Sequence, residues 1–254
     1  MPLFDLTGKN AFVTGASRGI GQVIAVALAG AGADLALVAR SEDGLADTAE
    51  QISALGRKAV IIPADVTEQE SVAAAVGTAI DQLGAVDIVV NNAGGSSFMV
   101  PFLDLRLTGW DKLIRLNLDS AMYVCHAVGP HLVERGTGSV INVASVAGMA
   151  AAPFLSPYGA AKAGLISLTK SLAVEWGAQG VRVNALCPGW TATDLNRNLW
   201  EDETAGPATV ATVPMRRWAR PEEMAGGAIF LASEASSYMT GQVLILDGGQ
   251  TAMS

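Results

Sequence analysis

Charge is scarce in this 254-residue sequence: only 16% of the residues are charged, against about a quarter in an average domain. The net charge is −8, and no dense run of lysine or arginine occurs. Proteins that bind nucleic acid need basic patches to face the phosphates, so we expect no nucleic-acid partner. A chain with so little charge often covers extra surface against copies of itself, which predicts self-association.

Cysteine and long hydrophobic runs are scarce as well. Cys125 and Cys187 stand in apolar contexts, which predicts two buried thiols in a reducing compartment. The first ten residues lack a basic start followed by a long apolar stretch, so no signal peptide is predicted. The apolar stretches are of strand length or are broken by glycine and polar residues, so we expect no membrane span. These features predict a cytoplasmic protein.

The sequence does contain a regular alternation of strand and helix patterns. Half of the residues are hydrophobic, which is enough for the core of one large α/β domain. Nearly continuous apolar runs, typical of a parallel sheet covered on both faces, predict seven strands at 10–14, 34–39, 59–63, 86–90, 139–143, 181–186 and 242–246. Helical patterns between them lie at 20–31, 43–55, 69–83, 110–134, 158–178 and 221–232. The prediction is a single domain over 1–254, with a doubly wound Rossmann-type parallel sheet of about seven strands.

The segment 190–218 shows little periodicity and contains three tryptophans, two prolines and an acidic cluster. Long irregular segments in compact domains are usually functional or disordered. Its aromatic residues favour a lid over a substrate pocket, while a mobile surface excursion is the alternative.

A glycine-rich turn, TGASRGIG, joins the first strand to the first helix. Its glycines, Gly15, Gly19 and Gly21, permit a tight turn and a close approach of the backbone to a pyrophosphate. The free N–H groups at the start of the following helix favour the same anion. This position in the chain predicts a site for a nicotinamide dinucleotide.

Polar residues recur where the later strands end, and the carboxyl ends of parallel strands meet at one edge of the sheet. They are Asp65, the NNAG sequence at 91–94, Ser145, the Pro188-Gly189 pair, Thr191 and Thr193.

Tyr158 and Lys162 are four residues apart at the start of a predicted helix, so their side chains share one face. A cation beside a phenol favours the phenolate and would lower the tyrosine pKa from its reference of about 10. A tyrosine so tuned is a usable general acid or base.

Together these motifs resemble the short-chain dehydrogenase/reductase family over essentially the whole chain. TGASRGIG, Asp65, NNAG, Asn117, Ser145, Y-x3-K and PG-x-T stand in the family's order and approximate spacing. The resemblance implies a ketone–alcohol oxidoreductase acting on a small molecule. In it Tyr158 would transfer the proton, Ser145 would hold the reacting oxygen, and Lys162 would bind the nicotinamide ribose and lower the Tyr158 pKa. Asn117 would help hold a water that joins Lys162 to solvent.

The resemblance also implies a set of cofactor contacts. It places Gly15, Ser17, Arg18 and Ile20 at the phosphates and adenosine ribose, Asp65 and Val66 at the adenine, Asn91 and Gly94 near the ribose, and Thr193 near the nicotinamide amide. The full set of expected cofactor contacts also includes Gly19, Gly21, Arg40, Ser41, Ala93, Tyr158, Lys162, Pro188, Gly189 and Thr191. It further implies a homotetramer, in agreement with predicted helices at 110–134 and 158–178 that are apolar on more than one face.

Several of these residues also have a purely structural interpretation. Asn117 could satisfy a buried backbone group, and Asp65 could be a turn residue. His126 and His131 have no cysteine or carboxylate partners at ligand spacing, so we interpret them as structural and expect no metal.

Other functions on this fold fit less well. A non-catalytic dinucleotide sensor could dispense with Tyr158 or Lys162, an epimerase would need an added substrate region, and enoyl-type reductases space the pair more widely. Within the expected reaction, the substrate is predicted to be an apolar or weakly polar ketone, with Met149, Ala151 and Phe154 near the pocket and Trp190, Leu195, Leu199 and Trp200 in the lid. A 3-oxoacyl thioester or a sugar-type polyol is the alternative.

The end of the second predicted strand indicates the form of the cofactor. NAD-binding members of this fold place a carboxylate near the adenosine ribose, but this chain has Ala39 followed by Arg40 and Ser41. Arg40, together with Arg18 in the glycine loop, could hold a 2′-phosphate. We therefore predict NADP(H) rather than NAD(H), the alternative being that both arginines only face solvent.

Overall fold

In the computed structural model, which describes residues 2–253, seven parallel strands form one sheet in the order β3-β2-β1-β4-β5-β6-β7. The strands are β1 (Asn10–Thr14), β2 (Asp34–Ala39), β3 (Ala59–Pro63), β4 (Ile88–Asn91), β5 (Gly138–Val143), β6 (Val181–Pro188) and β7 (Val243–Leu246). The predicted doubly wound sheet is confirmed, and three strands have the predicted bounds. The predicted domain of 1–254 also includes Met1 and Ser254, which lie outside the described residues.

Helices cover both faces of this sheet. They are α1 (Gly19–Gly30), α2 (Glu42–Ala54), α3 (Gln69–Leu83), α4 (Leu107–Ile114), α5 (Ser120–Arg135), α6 (Ser156–Trp176), α7 (Arg197–Trp200), α8 (Ala205–Val210) and α9 (Ala225–Ala232). Within the described residues, none of these helices is both long enough and apolar enough to cross a membrane.

The core is divided by the sheet into two layers. Alternate residues of a strand point to opposite faces, so Val13 of β1 packs with α1, α2 and α9, while its neighbour Phe12 packs with α3, α5 and α6. Both side chains are almost fully buried. This double coverage explains why the strands are continuous apolar runs rather than alternating patterns.

The prediction of one helix over 110–134 is wrong in detail. Helicity begins earlier, at Leu107, and a π-helical turn, Arg115–Asp119, separates α4 from α5. Single π turns inside helices are rare, and they occur often at functional sites. The turn contains Asn117.

The prediction that 190–218 has little regular structure is also wrong. The segment contains a short 3-10 turn at Asp194–Asn196 and the helices α7 and α8. The Trp200 indole donates a hydrogen bond to the Thr193 carbonyl at 2.9 Å, and the Trp218 indole donates one to the Gly206 carbonyl at 3.1 Å. These local bonds hold turns too short to produce a helical period in the sequence.

Candidate active site

The glycine loop between β1 and α1 requires glycine at three positions, two because of backbone conformation and one because of space. Gly15 and Gly19 have φ of +66° and +58°, a region that favours glycine. A Cβ added to Gly21 would collide with the Gly15 carbonyl oxygen, which is rigid backbone. Arg18 precedes α1 without a side-chain cap, so the N–H groups of the first turn stay available to an anion. The loop therefore fits a pyrophosphate.

Asn92 and Thr14 tie this loop to the loop that follows β4. The Asn92 amide donates to the carbonyl oxygens of Thr14 and Gly15 at 3.0 and 3.2 Å. The Thr14 hydroxyl accepts from the backbone N–H groups of Asn92 and Ala93 at 3.0 and 3.1 Å. Thr14 and Asn92 stand within the two motifs found in the sequence, but sequence reasoning assigned no role to either residue.

The Asn91 side chain lies in the interior. It does not face the groove, by which we mean the space at the carboxyl ends of the strands between the glycine loop and the NNAG loop. Its amide donates to Asn142 Oδ1 at 2.9 Å and to Cys125 Sγ at 3.4 Å, which holds β4 against β5 and α5. Asn91 Oδ1 is buried and has no partner among the described residues. Only the backbone of Asn91 can face a ligand at this edge.

Lys162 is the most unusual residue at the sheet edge because its charged end is buried. Only 3% of the residue is exposed, and its Nζ donates to the Val143 carbonyl at 2.8 Å. A Cβ on Gly94 would lie 3.1 Å from this Nζ and 2.7 Å from Asn117 Oδ1. Glycine at position 94 therefore allows the NNAG loop to pass beside Lys162 and Asn117, where any side chain would collide.

Asn117 clamps the same loop from the π turn. Its Oδ1 accepts from the Gly95 N–H at 2.7 Å, and its Nδ2 donates to the Gly95 carbonyl at 3.0 Å. A further bond runs from Nδ2 to the Leu113 carbonyl at 3.0 Å. The reading of Asn117 as a residue that satisfies buried backbone groups is thus confirmed, and it places Asn117 beside Lys162.

Ser145 and Tyr158 complete the cluster. Ser145 follows β5 directly and caps the short turn Val146–Gly148, with its Oγ accepting from the Ala147 N–H at 3.1 Å. Tyr158 lies in the first turn of α6, and its ring centroid is 5.7 Å from Lys162 Nζ. A carbonyl oxygen between Ser145 and Tyr158 would meet two hydroxyl groups.

The segment after β6 borders the groove on the other side. Gly189 donates to the Leu246 carbonyl at 2.9 Å, which continues the pairing of β6 with β7 beyond Pro188. Thr191 is buried, and its hydroxyl donates to the Gly189 carbonyl at 3.1 Å. The Thr193 side chain lies near Gly19, since a Cβ built there would be 3.7 Å from Thr193 Cγ2. The segment therefore reaches across to the glycine loop.

Comparison with known proteins gives the family. A family model described as "Enoyl-(Acyl carrier protein) reductase" matches residues 15–251. Gluconate 5-dehydrogenase of Gluconobacter oxydans (strain 621H) is 39% identical over 98% of this chain and 97% of its own length. The rhamnolipids biosynthesis 3-oxoacyl-[acyl-carrier-protein] reductase of Pseudomonas aeruginosa is 41% identical over 98% of each chain.

A solved structure agrees with these relatives. Gluconate 5-dehydrogenase of Burkholderia cenocepacia J2315, in complex with NADP and tartrate, superposes with a TM-score of 0.94 at 38% identity, covering 99% of this chain and 98% of that one. This chain belongs to the short-chain dehydrogenase/reductase family.

The adenosine end of the groove in this short-chain dehydrogenase/reductase carries two exposed arginines. Arg18 and Arg40 form no ion pair within 4 Å among residues 2–253. Ser41 caps α2 by accepting from the Gly44 N–H at 3.3 Å, and a Cβ on Gly44 would lie 3.2 Å from Ser17 Cβ. The amino end of α2 thus lies against the glycine loop.

Asp65 is a turn residue, as its alternative reading proposed. Its Oδ1 accepts from the Thr67 N–H and hydroxyl at 2.9 and 2.7 Å, and these bonds lower the pKa of the carboxyl group, with a smaller contribution from Arg40. The Val66 side chain is buried in the core, so its backbone is the part nearest to the groove.

Burial dominates the titration of Lys162 and Tyr158. Desolvation lowers the pKa of Lys162 to about 8 and raises the pKa of Tyr158, which the interaction with Ser145 opposes. The net shift of the Tyr158 pKa is therefore upward, opposite to the direction predicted from the sequence, because burial penalises the phenolate more than the Ser145 hydrogen bond stabilises it. Cys187 lies in the same pocket as a neutral thiol, with a pKa raised by burial to about 11.

The two histidines lie away from this cluster. His131 Nε2 accepts from the Val86 N–H at 3.1 Å, and His126 is exposed on α5. The bond of His131 supports its interpretation as a structural residue.

Proposed function

We propose that this chain is an NADP(H)-dependent oxidoreductase that interconverts a ketone and a secondary alcohol. The observation that carries the proposal is the convergence of Ser145, Tyr158 and buried Lys162 at the sheet edge that also presents the glycine loop. When bound, the dinucleotide supplies or accepts the hydride. The protein supplies the position, the proton and the electrostatic environment.

In the reducing direction Tyr158 donates its proton to the carbonyl oxygen as the carbon accepts the hydride. A raised pKa keeps the phenol protonated at neutral pH, which suits this step. Ser145 holds the oxygen by a hydrogen bond. The phenolate left behind is stabilised by the Lys162 charge and is reprotonated from solvent along the side that Asn117 borders.

Replacing Tyr158 with phenylalanine keeps the ring and its packing but removes the proton donor. We expect kcat to fall by about 10² to 10⁴-fold while dinucleotide affinity stays within about twofold of wild type. The measurements are steady-state kinetics and fluorescence titration with NADPH. Tyr123→Phe, made in a half-buried tyrosine of α5, is the matched control.

Wild-type turnover in Tyr158→Phe would remove Tyr158 from the mechanism. Lys162→Met should differ from both variants by lowering turnover and dinucleotide affinity together, since it removes a ribose contact and the charge beside the phenol.

The preference for NADP(H) rests on the two exposed, unpaired guanidinium groups of Arg18 and Arg40. Ala39 offers no carboxylate where a ribose hydroxyl would need one, so the last residue of β2 does not repel a 2′-phosphate. The NADP bound by the Burkholderia gluconate 5-dehydrogenase supports the same choice. Glu42 and Asp43 also lie in the first turn of α2 and oppose the phosphate, so the arginines must outweigh them.

We expect wild type to prefer NADPH over NADH by about a hundredfold in kcat/KM, because two charged contacts, discounted for exposure, contribute about 3 kcal/mol. Arg40→Ala should reduce the ratio about tenfold. Arg57→Ala, at the amino ends of β2 and β3 and so away from the cofactor site, should leave the ratio unchanged. Equal use of both cofactors by wild type, or an unchanged ratio in Arg40→Ala, would contradict this phosphate site.

Two more specific activities are candidates because similar proteins are named for them. The Pseudomonas relative is a 3-oxoacyl-[acyl-carrier-protein] reductase, and a D-threitol dehydrogenase of Mycolicibacterium smegmatis is 38% identical. Both chemistries reduce or form a carbonyl group by the same proton and hydride transfers. Kinetics with a 3-oxoacyl thioester and a polyol would test them beside a simple ketone.

A homotetramer is part of the proposal. Val174 on α6 and Tyr238 near β7 are almost fully exposed in the single chain, and every residue of β7 is only half-buried. Such apolar surface is normally covered by a partner. Light scattering should give four times the chain mass, and a monomer at micromolar concentration would contradict it.

The proposal also includes a cytoplasmic location. Cys125 and Cys187 are both unpaired and buried, which suits a compartment where thiols stay reduced. Cell fractionation tests this location. Recovery of the protein in an extracellular or membrane fraction would contradict it.

A further inference from the structure

Phe154 has a strained backbone beside the catalytic cluster. Its φ is +66°, and Arg216 is the only other non-glycine residue among 2–253 with a positive φ. The Leu155 N–H donates to the Ala152 carbonyl at 3.1 Å, which closes a β-turn with Pro153 second and Phe154 third. Glycine or asparagine suits a third position with positive φ, whereas a bulky side chain there is an outlier. Such outliers cluster at functional sites.

The strain has no compensation in the core, because 54% of Phe154 is exposed. The backbone is held from outside instead: the Val100 N–H donates to the Phe154 carbonyl at 2.9 Å, which ties the turn to the loop after β4. A large apolar ring is thus fixed in a costly conformation and presented to solvent.

The turn lies against the helix that carries the proton donor. A Cβ on Gly159 would be 2.9 Å from the Ala147 carbonyl oxygen and 3.4 Å from Ala152 Cβ. Because Gly159 follows Tyr158 directly, the segment between Ser145 and the turn packs on the first turn of α6. Phe154 therefore stands at the rim of the site.

Other exposed apolar side chains share this rim. Met149 follows the Ser145 turn, and Met99 precedes the residue bonded to Phe154. Leu195 of the segment after β6 packs on Gly95, the residue clamped by Asn117, and it too is half exposed. Exposed apolar groups thus occur on three loops that also carry or contact residues of the catalytic cluster.

Positive charge at this rim is cancelled. Residues 95–101 and 146–155 contain no charged side chain, and residues 190–200 contain one cation, Arg197. Arg197 pairs with Asp194 and, at 3.8 Å, with Glu201. Two carboxylates for one guanidinium leave these three segments without an unpaired cation for an anionic substrate.

We propose that Phe154 determines specificity and that the site takes ketones or secondary alcohols whose substituent is apolar and uncharged. The inference rests on the proposed function, and it names the substrate class of that same site. It differs from the chemistry in the name of the gluconate relatives, because gluconate carries a carboxylate.

The test compares kcat/KM with NADPH for two pairs of ketones: 2-butanone against 4-phenyl-2-butanone, and 2-hexanone against 4-oxopentanoate, which is similar in length but anionic. Wild type should prefer the phenyl ketone and the neutral hexanone, by about fourfold for each methylene equivalent buried. Phe154→Gly should lower kcat/KM for the phenyl ketone about tenfold and change 2-butanone less than twofold.

Folding is controlled in the same series. Phe154→Gly and Phe154→Asn suit the positive φ, so neither should lower the melting temperature, and Phe154→Tyr should keep the wild-type preference. Leu55→Ala, in a residue 49% exposed at the far end of α2, is the matched control for loss of exposed apolar surface. Equal losses on both ketones in Phe154→Gly, or a wild-type preference for 4-oxopentanoate, would overturn the proposal.

A second readout separates this inference from the proposed function. If wild type reduces no ketone with either dinucleotide, the proposed function fails. Calorimetric binding of 4-phenyl-2-butanone to the NADPH-loaded protein still tests Phe154. Affinity weakened several-fold in Phe154→Gly would support its role, and unchanged affinity would overturn it.

Discussion

Burial of the Lys162 ammonium is the constraint around which the site is arranged. An ammonium loses much hydration free energy in the interior, so it needs polar neighbours fixed in place. Those neighbours come from separate elements: the Val143 carbonyl ends β5, Asn117 sits in the π turn, and Gly94 leaves open the volume beside Nζ. A shift of the Val143 carbonyl would leave the charge without its hydrogen-bond acceptor, and a side chain at position 94 would collide with Asn117 Oδ1.

The same edge of the sheet explains how one small domain can hold a large cofactor and a substrate. All seven strands run parallel, so their carboxyl ends open to one side. The Asn92 and Thr14 bonds lock the glycine loop to the NNAG loop, and Asn117 locks the NNAG loop to the helix before β5. The phosphate cradle and the proton donor are therefore held at a fixed distance.

The strands, which are covered by helices on both faces of the sheet, could be predicted from sequence because each is a nearly continuous apolar run bounded by turn residues. The cluster of Ser145, Tyr158 and Lys162 was accessible for a related reason: strand ends and an i, i+4 spacing determine position. The π turn was not, because a single wider turn between two helices is too short to leave a period of its own in the sequence. The raised pKa of Tyr158 depends on how deeply the ring is buried, which spacing does not encode. The strain at Phe154 depends on a turn closed by tertiary contacts.

The central claim is that Lys162 is an ammonium held out of water beside the proton donor, and its own titration tests that claim most directly. Protein carrying ¹³C-labelled lysine side chains, with the Lys162 signal assigned by its loss in Lys162→Arg, can be followed by NMR across alkaline pH. The account predicts a midpoint of about 8, since burial favours the neutral amine, so that the charge is lost as the pH rises through that value. A midpoint at the usual lysine value of about 10.4 would show an amine in contact with water and would contradict the account.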